Sequence, residues 1–497
     1  MTASPVRLAF DLGAGSGRVM SAGFDGEKIE LREVHRFANT PVQVIDSLHW
    51  DATGLFNSIL DGLTKAAATH GEIRSIGGDT WGVDYALIRS DGMPVGPVWN
   101  YRDPRNVAAY EAVLDEIGRE PIFDATGLQF MPINTLFQLV AERRSGSGML
   151  DAAESFLMMG DLFHYLLTGV RSVEATNAST TQLLDPRTRR WRTELMDRLD
   201  IPARLFADVT EPGTRLGELL PAIRTRTGMS ATPVIAPATH DTASAVVAVP
   251  ADNFAPDRPD WCYISSGTWS LVGVETAAPV INDACAAMNF TNEGGVGGST
   301  RLLKNIGGMW VVQQIREAMR RRGDAPDWAA IVAMAESATP LSTLIDPDHP
   351  SLAAPGDMID AVRTYVGTTG QPPIESDAAM FRACFDGLAL RYRHTVRMIE
   401  SLIASEIRTV HIVGGGSRNA LLCQMTADAC GKTVLAGPDE ATAMGNVLMQ
   451  MIGDGELGSM GQCREVVRAS TAVVRYEPAG DADRWDEAAE RFRWLTT

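Results

Sequence analysis

The sequence is short of positive charge. Against 62 acidic side chains it has 44 basic ones, so its 497 residues carry a formal net charge of −18. A polyphosphate backbone would be repelled by such a surface, and we expect no nucleic-acid partner. A small anionic substrate is compatible with this charge, because backbone amides and a magnesium ion can hold phosphates locally.

Cysteine and long apolar runs are also scarce. Six cysteines are scattered singly along the chain, which is not the pattern of a disulfide framework. No run approaches the roughly 18 to 20 apolar residues that span a bilayer. The start, MTASPVRLAFDLG, lacks the basic region and long apolar run of a signal peptide. We therefore expect a cytoplasmic protein without a membrane partner.

The order of apolar segments predicts an α/β protein. Strand-like and helix-like segments alternate, and the chain exceeds the roughly 250 to 300 residues that one core supports, so two domains are expected. Residues 250–259, near the middle, are rich in proline and aspartate. We place the boundary there, which gives domains of residues 1–249 and 250–497.

Periodicity predicts several individual elements. A buried strand is expected at Val6–Leu12, a helix capped by Thr53 and ending at His70, and a long helix near Phe381–Leu402. Two strand–turn–strand patterns, one around Gly13–Gly17 and one around residues 265–268, form a faint internal repeat. This repeat favours two related halves.

The segment DLGAGSGR, from Asp11 to Arg18, is the first candidate for chemistry. It has no lysine for a Walker loop, and a dinucleotide fingerprint would need glycine where Arg18 stands and a helix where a hairpin is predicted. Two interpretations remain. One is a phosphate-binding hairpin with Asp11 held at a strand end to engage magnesium; the other is an ordinary glycine-rich hairpin.

Two acidic segments follow predicted strands. His240-Asp241-Thr242 follows the strand Pro233–Ala236, and Asp241 is either a general base for a sugar hydroxyl or a helix N-cap. Asp79–Asp84 follows the strand Ile73–Gly77 and is either a sugar-binding segment or a turn with a core tryptophan.

A glycine run and a lysine–asparagine pair complete the candidates. Gly414–Asn419 lies between a strand and a helix, where a nucleotide can approach the backbone, or where the chain simply enters a helix tightly. Lys304-Asn305 has no meaning of its own from composition and is compatible with an ordinary strand-to-helix junction.

Together these segments resemble the FGGY carbohydrate kinases and, within that family, the rhamnulokinase branch. DTWGVDY, INTLFQL, NASTTQLLD and SGTWSL carry the more specific part of the resemblance, while the hairpin and the triple glycine are shared more widely. The similar segments run in order along nearly the whole chain: DLGAGSGR, GGDTWGVDYAL, YRDPR, GLQFMPINTLFQL, EATNASTTQLLDP, THDTASAV, SSGTWSLVG, LLKNIGGMW, GGGSRNALLCQMTADACGKTV and GPDEATAMGN.

The resemblance implies a fold and a set of site residues. The fold would be two actin-like, RNase H-like lobes with an interlobe active-site cleft, the N-terminal lobe binding mainly sugar and the C-terminal lobe mainly ATP. Asp241 would be the catalytic base, and Asp11 and Asp241 would lie near magnesium. The residues implied for ATP are Ala14, Gly15, Ser16, Gly17, Arg18, Thr268, Gln313 and Gly415. The residues implied for the sugar are Gly82, His240, Asp241, Thr242 and Asn305.

The implied reaction transfers the γ-phosphoryl group of ATP to the 1-hydroxyl of L-rhamnulose, in L-rhamnose catabolism. One alternative keeps the chemistry and changes the sugar to L-fuculose or another deoxyketose, because a few hydrogen bonds decide such a preference. An alternative of another class is a non-catalytic sugar- or nucleotide-sensing protein on the actin-like fold. Asp11, Asp241 and the glycine segments argue against the sensor, which has no need of a base.

Overall fold

The computed structural model describes residues 5–324, 326–353, 356–479 and 481–495. The chain forms two compact units and passes between them repeatedly. The predicted boundary after residue 249 lies close to the first crossing, but a single cut there leaves out two later segments that return to the first unit. The first unit comprises Met1–Asp257, Glu275–Leu302 and Ala441–Thr471, and the second Arg258–Val274, Leu303–Glu440 and Ala472–Thr497.

The described strands form two main sheets, of six and seven strands, and three smaller sheets of two or three strands. In chain order they are β1 (Val6–Leu12), β2 (Ser16–Phe24), β3 (Ile29–Ala38), β4 (Val42–Val44), β5 (Ser47–Trp50), β6 (Ile73–Thr80), β7 (Tyr85–Ile88), β8 (Val98–Trp99), β9 (Ser155–Met158), β10 (Leu184–Asp185), β11 (Arg190–Trp191), β12 (Arg215–Glu218), β13 (Pro233–Ile235), β14 (Trp261–Ser266), β15 (Trp269–Thr276), β16 (Thr291–Gly294), β17 (Thr300–Gly307), β18 (Thr409–Val413), β19 (Thr433–Ala436) and β20 (Val474–Tyr476).

Helices cover the sheets and connect their strands. In chain order they are α1 (Ala52–Thr69), α2 (Arg105–Ile117), α3 (Arg119–Thr126), α4 (Thr135–Ser145), α5 (Met149–Ala152), α6 (Met159–Thr168), α7 (Ala175–Ala178), α8 (Thr193–Arg198), α9 (Pro221–Thr227), α10 (Asp241–Val247), α11 (Asp283–Ala287), α12 (Trp310–Arg321), α13 (Trp328–Ser337), α14 (Met358–Thr368), α15 (Asp377–Ile403), α16 (Ala420–Cys430), α17 (Ala441–Gly453), α18 (Met460–Ser470) and α19 (Ala482–Arg493).

The sheet of the first unit has the order β12-β13-β6-β1-β2-β3. Strand β1 lies parallel to β6 and antiparallel to β2, and it is buried along its whole length. Leu8, Phe10 and Leu12 on one face and Ala9 on the other are each 0% exposed, as expected for a strand in the middle of a covered sheet. The predicted strand at Val6–Leu12 and the hairpin that follows it are confirmed.

Helix α1 begins earlier than its predicted cap. The carboxylate of Asp51 accepts a hydrogen bond from Gly54 N at 2.8 Å, so Asp51 is the N-cap and Thr53 lies inside the first turn. The predicted cap at Thr53 is therefore wrong. Both residues are of a type that caps helices, and only the observed hydrogen bond distinguishes them.

The second sheet is built around β14. Strand β14 pairs antiparallel with β15 and parallel with β18, and β18 pairs parallel with β19. The first sheet contains the same motif, a hairpin whose first strand has a parallel strand on its other side. The internal repeat expected from the sequence is thus present, and the mixed α/β fold with two sheet-containing units is confirmed.

Helix α15 is the longest element of the second unit. Ser376 caps it by accepting a hydrogen bond from Ala379 N at 3.2 Å, and it ends at Ala404 in the left-handed region, with φ at 49°. Phe381, Phe385 and Tyr392 are each 0% exposed, as the periodicity predicts for a core face. None of the described helices combines the length and apolar character that crossing a membrane requires.

Candidate active site

In the first unit, three chain segments converge at one edge of the sheet. Asp11 on β1 pairs with Asp79 on the parallel strand β6, and Thr80 bridges to His240, with Thr80 N donating to Thr239 O at 2.8 Å. The carboxyl ends of parallel strands are the usual place for ligand sites. We expected β6 to stop at Gly77. It continues through Thr80 because Gly78, Asp79 and Thr80 pair with β1, and Thr80 also bridges to His240 on its other side.

Asp11 and Asp79, two carboxyl groups at this edge, differ in their burial and in their hydrogen-bond partners. Asp11 accepts from the guanidinium of Arg18 at 2.5 Å. Asp79 is fully buried, its Oδ2 accepts from Asn446 Nδ2 at 2.6 Å, and its Oδ1 has no hydrogen-bond partner among the described residues. Burial and, second, repulsion from Asp11 raise the pKa of Asp79 well above its ordinary value. The raised pKa favours the neutral form of Asp79, and Asp11 is paired with a cation from the protein itself.

Asp241 is the first residue of α10, and His240, rather than Asp241, occupies the N-cap position. Oδ1 of Asp241 accepts from Thr242 N at 2.6 Å and lies 3.5 Å from His240 Nε2. No hydrogen bond in the described part of the chain reaches Oδ2, and the side chain is 31% exposed. Burial raises the pKa of Asp241, while His240 opposes that shift. A carboxyl group with one oxygen fixed and the other accessible is well suited to accept a proton.

The segment Gly82-Val83 is closely packed, and its Gly82 lies against the ring of His240. A Cβ at Gly82 would lie 3.1 Å from Thr180 Cγ2 and 3.3 Å from His240 Nε2, so only glycine leaves this gap clear. Val83 has φ of 68°, a left-handed conformation that is strained for a β-branched residue. Its N–H donates to Thr180 Oγ1 at 3.0 Å and its carbonyl accepts from Thr135 Oγ1 at 2.6 Å, and these bonds hold the strained conformation.

Trp81 is a buried residue. It is 5% exposed, and its ring packs on Trp50 with a centroid separation of 4.4 Å. Both indole N–H groups donate to Asp84 Oδ2, at 2.5 Å from Trp50 and 2.8 Å from Trp81, while Gln138 Nε2 donates to Oδ1 at 2.9 Å. Of the two interpretations of this segment, the core tryptophan describes Trp81.

Asp84 gives the unfolding free energy a pH dependence. Burial raises the pKa of Asp84 to about 7, against about 3.9 for an exposed aspartate. Between these values the folded state binds the extra proton, so the unfolding free energy should fall as pH rises, by about 1.4 kcal/mol per pH unit from this group. Denaturant unfolding followed by tryptophan fluorescence from pH 4.5 to 7.5 measures it. Asp84→Asn should lose this slope, and identical slopes in both proteins would contradict the assignment.

Gly15 and Gly17, both in the hairpin between β1 and β2, differ in the space around them. Gly13 N donates to Ser16 O at 2.9 Å, and Asn39 Nδ2 donates to Gly13 O at 2.8 Å, which fixes the turn. A Cβ at Gly17 would lie 2.3 Å from the ring of Phe37, whereas a Cβ at Gly15 would meet nothing within 4 Å. Gly17 is required for packing. Gly15 leaves an exposed stretch of backbone that a phosphate group can approach.

Substitution at Gly15 should therefore affect nucleotide binding without affecting folding. Gly15→Ala is expected to raise the KM for ATP by roughly 10-fold, equivalent to about 1.4 kcal/mol, with little change in melting temperature. Gly23→Ala is the matched control, because Gly23 lies on the same hairpin and also has free space around it. Equal KM values for ATP in the two variants would exclude a phosphate at Gly15.

In the second unit, Thr268 lies in the turn between β14 and β15. The carbonyl of Gly267 accepts from Met309 N at 3.0 Å, and that of Thr268 from Trp310 N at 3.1 Å. Gln313 is one turn further along α12, with its N–H bonded to Met309 O at 2.8 Å. The start of α12 therefore brings Gln313 and Thr268 into one neighbourhood.

The triple glycine packs against the same turn. A Cβ at Gly416 would lie 2.0 Å from Ser266 Oγ, so glycine permits this close contact. Gly415 is exposed and would accept a Cβ without any neighbour within 4 Å. The turn between β14 and β15 in the second unit thus brings together three residues predicted for the nucleotide: Thr268, Gln313 and Gly415. Asn305 lies within β17 rather than at a strand-to-helix junction, because that strand continues to Gly307.

Sequence reasoning missed a buried carboxylate behind His240. Glu174 is 0% exposed and accepts from Thr239 N at 2.9 Å, Thr239 Oγ1 at 2.7 Å and Thr176 Oγ1 at 2.6 Å. Thr176 Oγ1 in turn accepts from His240 N at 3.2 Å. Burial raises the pKa of Glu174. Its only sequence signal is its place in the segment EATNASTTQLLDP, which gives no hint of this contact.

The fold, with a matching hairpin in each of two sheets, is that of solved sugar and glycerol kinases. The xylulose kinase of Lactobacillus acidophilus superposes with a TM-score of 0.81 at 13% identity, covering 99% of this chain and 97% of that one. The glycerol kinase of Plasmodium falciparum, solved with ADP, gives 0.75 at 15% identity, covering 99% and 98%. At such identities the likeness concerns the fold alone.

The chain belongs to the FGGY family of carbohydrate kinases. The model of the family's N-terminal domain matches residues 6–248 and that of its C-terminal domain residues 262–453. Two similar relatives are rhamnulokinases. That of Bacteroides thetaiotaomicron is 43% identical, covering 98% of each chain. That of Pectobacterium atrosepticum is 41% identical, covering 96% of this chain and 94% of the relative.

Proposed function

We propose that this carbohydrate kinase transfers the γ-phosphoryl group of ATP to the 1-hydroxyl of L-rhamnulose, giving L-rhamnulose 1-phosphate and ADP. The observation that carries the proposal is its similarity, over nearly the full length, to several rhamnulokinases. The accessible Oδ2 of Asp241 supports the chemistry. The L-fuculose and sensor alternatives have no observation in their favour.

In the proposed mechanism Asp241 acts as the base. Phosphoryl transfer to an alcohol requires in-line positioning, charge neutralisation and an acceptor for the hydroxyl proton. Thr242 N donates to Oδ1 at 2.6 Å, which would leave Oδ2 to accept the proton of the substrate hydroxyl. We assign sugar binding mainly to residues 1–249, through Gly82, His240 and Thr242, with Asn305 contributed by the C-terminal half.

The nucleotide is assigned mainly to residues 250–497. The adenosine part would be bound by Thr268, Gln313 and Gly415, which surround one turn. The hairpin at Ala14–Arg18 would hold the phosphates, supported by the open backbone at Gly15. None of the six cysteines, all in the described part of the chain, forms a disulfide bond, which is consistent with a reducing cytoplasm. The net charge of −18 supports the absence of a nucleic-acid partner.

A magnesium ion fits the donor set of the first unit. Magnesium is usually bound by one or two carboxylates together with substrate phosphates and water. Asp11 and Asp241 supply two carboxyl groups, and each adds to the negative field that raises the pKa of Asp79. The described residues contain no group of three or more His, Cys, Asp and Glu that could hold a metal by themselves. When bound, magnesium would neutralise charge on the phosphates of ATP.

An ADP-release assay over a panel of acceptors tests the proposal. We expect kcat/KM to be highest for L-rhamnulose among L-rhamnulose, L-fuculose, L-ribulose, D-xylulose and glycerol. A clear preference for another acceptor would reject the substrate and keep the kinase. The absence of ADP release with every acceptor, alongside binding of sugar or nucleotide, would favour the sensor.

A further inference from the structure

A buried ion pair from the second half of the sequence contacts His240. Glu293 on β16 and Arg301 on β17 lie in the segment Glu275–Leu302, which belongs to the first unit. Arg301 Nη2 lies 3.1 Å from Glu293 Oε2 and 3.0 Å from His240 Nδ1, and Arg301 Nε donates to Gly294 O at 2.9 Å. Arg301 is 1% exposed and Glu293 5%. Such a pair is costly to bury, and breaking it by removing one partner is strongly destabilising.

The contact with Arg301 determines where His240 carries its proton. A guanidinium has only donors, so in the Arg301 contact, which at 3.0 Å is the shorter of the two contacts of Nδ1, His240 Nδ1 accepts. A neutral imidazole that accepts at one nitrogen carries its hydrogen on the other, which places it on Nε2. Glu293 Oε2 lies 3.3 Å from Nδ1 and holds the guanidinium in place. The main chain of His240 is fixed as well, by the bond from its N–H to Thr176 Oγ1.

The Nε2 side of the ring faces the proposed reaction centre. Nε2 lies 3.5 Å from Asp241 Oδ1, and it lies 3.3 Å from the position that a Cβ on Gly82 would occupy. The backbone of Gly82 therefore lies close to Nε2–H, next to the carboxylate that is assigned as base. A donor at this place can bind a hydroxyl or carbonyl oxygen of the sugar, whereas an unprotonated Nε2 would face that oxygen with a lone pair.

We propose that Arg301 and Glu293 are positioning residues that fix the tautomer of His240, so that Nε2–H donates a hydrogen bond to an oxygen of the ketose substrate. This inference rests on the proposed function. Losing the tautomer removes one hydrogen bond and leaves an unpaired acceptor facing the sugar. The Kd of the sugar should therefore rise by about 10- to 100-fold, while the KM for ATP stays unchanged.

A double-mutant cycle tests the proposal. The paired change Glu293→Gln with Arg301→Met removes both charges together, so no unpaired ion is left buried. It is made in the native chain and in His240→Ala, and the Kd of the best-bound ketose of the panel is measured by calorimetry. We expect the 10- to 100-fold loss in the native background and less than about 2-fold in His240→Ala. A similar loss in both backgrounds would show that the pair acts on the structure at large and would overturn the proposal.

Two further variants serve as controls. The paired change Arg105→Met with Glu142→Gln removes a comparable partly buried pair of the first unit, Arg105 with Glu142 at 2.8 Å, and should leave the sugar Kd unchanged. Arg301→Lys keeps a donor toward Nδ1 and should retain sugar binding within about 5-fold. If the paired variant does not fold, a loss of about 10- to 100-fold in Arg301→Lys would itself overturn the proposal, because the donor that fixes the tautomer is still present. Because the readout is binding of whichever ketose binds best, a wrong substrate assignment leaves the test intact. Failure of every ketose to bind would overturn both proposals.

Discussion

Replacing Asp241 with asparagine is expected to lower kcat by about 10²- to 10⁴-fold while sugar binding is kept. The amide oxygen of asparagine can still accept from Thr242 N, which now bonds Oδ1 at 2.6 Å. The NH₂ group then replaces Oδ2 and cannot accept the hydroxyl proton. Steady-state ADP release measures kcat, and calorimetry measures the Kd of the sugar.

The control is the same substitution at an exposed site. Asp115→Asn, on α2, removes one surface carboxylate and should retain full kcat and sugar binding. A near-normal kcat in Asp241→Asn would remove Asp241 from the role of base. Loss of sugar binding in proportion to the loss of kcat/KM, with kcat at saturating sugar unchanged, would make Asp241 a binding residue only and would contradict its assignment as base.

Gly445→Ala should be strongly destabilising. Gly445 lies inside α17, where it faces α10, and a Cβ there would lie 1.8 Å from the carbonyl oxygen of Ser244. Neither backbone can move far, because α10 begins at Asp241 and α17 supplies Asn446 to the buried Asp79. We expect a loss of at least about 3 kcal/mol in unfolding free energy, at the upper end of what overpacking costs.

Gly445→Ala and a glycine-to-alanine change at an open helical site should change the unfolding free energy in opposite directions. Glycine to alanine in a helix normally gains up to about 1 kcal/mol. Gly367→Ala, in α14, should show that ordinary gain, because a Cβ there meets nothing within 4 Å. Denaturant unfolding of both variants compares the two effects. A Gly445→Ala protein as stable as the native chain would mean that α10 and α17 do not pack as described.

Much of the fold could be predicted from local patterns of apolar residues in the sequence. The buried strand β1, the hairpin after it and the long helix α15 follow from runs and periods that span many residues, so they were predictable. The ends of elements were harder to predict. Thr53 and Asp51 are both of a capping type, and β6 continues to Thr80 only because neighbouring segments pair with it.

The site was predictable where its residues end a strand or follow one. Asp11 lies at the end of β1, and Asp241 begins the helix that follows β13; the structure brings both to one edge of the first sheet, with Asp79 between them in sequence. Glu174, Glu293 and Arg301 were missed because a buried polar group has no periodic signal and its partner lies far away in sequence. The return of Ala441–Thr471 to the first unit was missed for the same reason.

The most direct test of the central claim, phosphoryl transfer to a sugar hydroxyl with Asp241 as base, is ³¹P NMR of the reaction mixture. The chain is incubated with L-rhamnulose, ATP and magnesium. We predict that ADP and a phosphate monoester coupled to the C1 protons of the sugar appear in equal amounts. Over the time in which the native chain converts a small part of the sugar, Asp241→Asn should form at least about 100-fold less of both products. ADP with inorganic phosphate and no sugar ester, or an equal initial rate of ester formation by Asp241→Asn, would contradict the account.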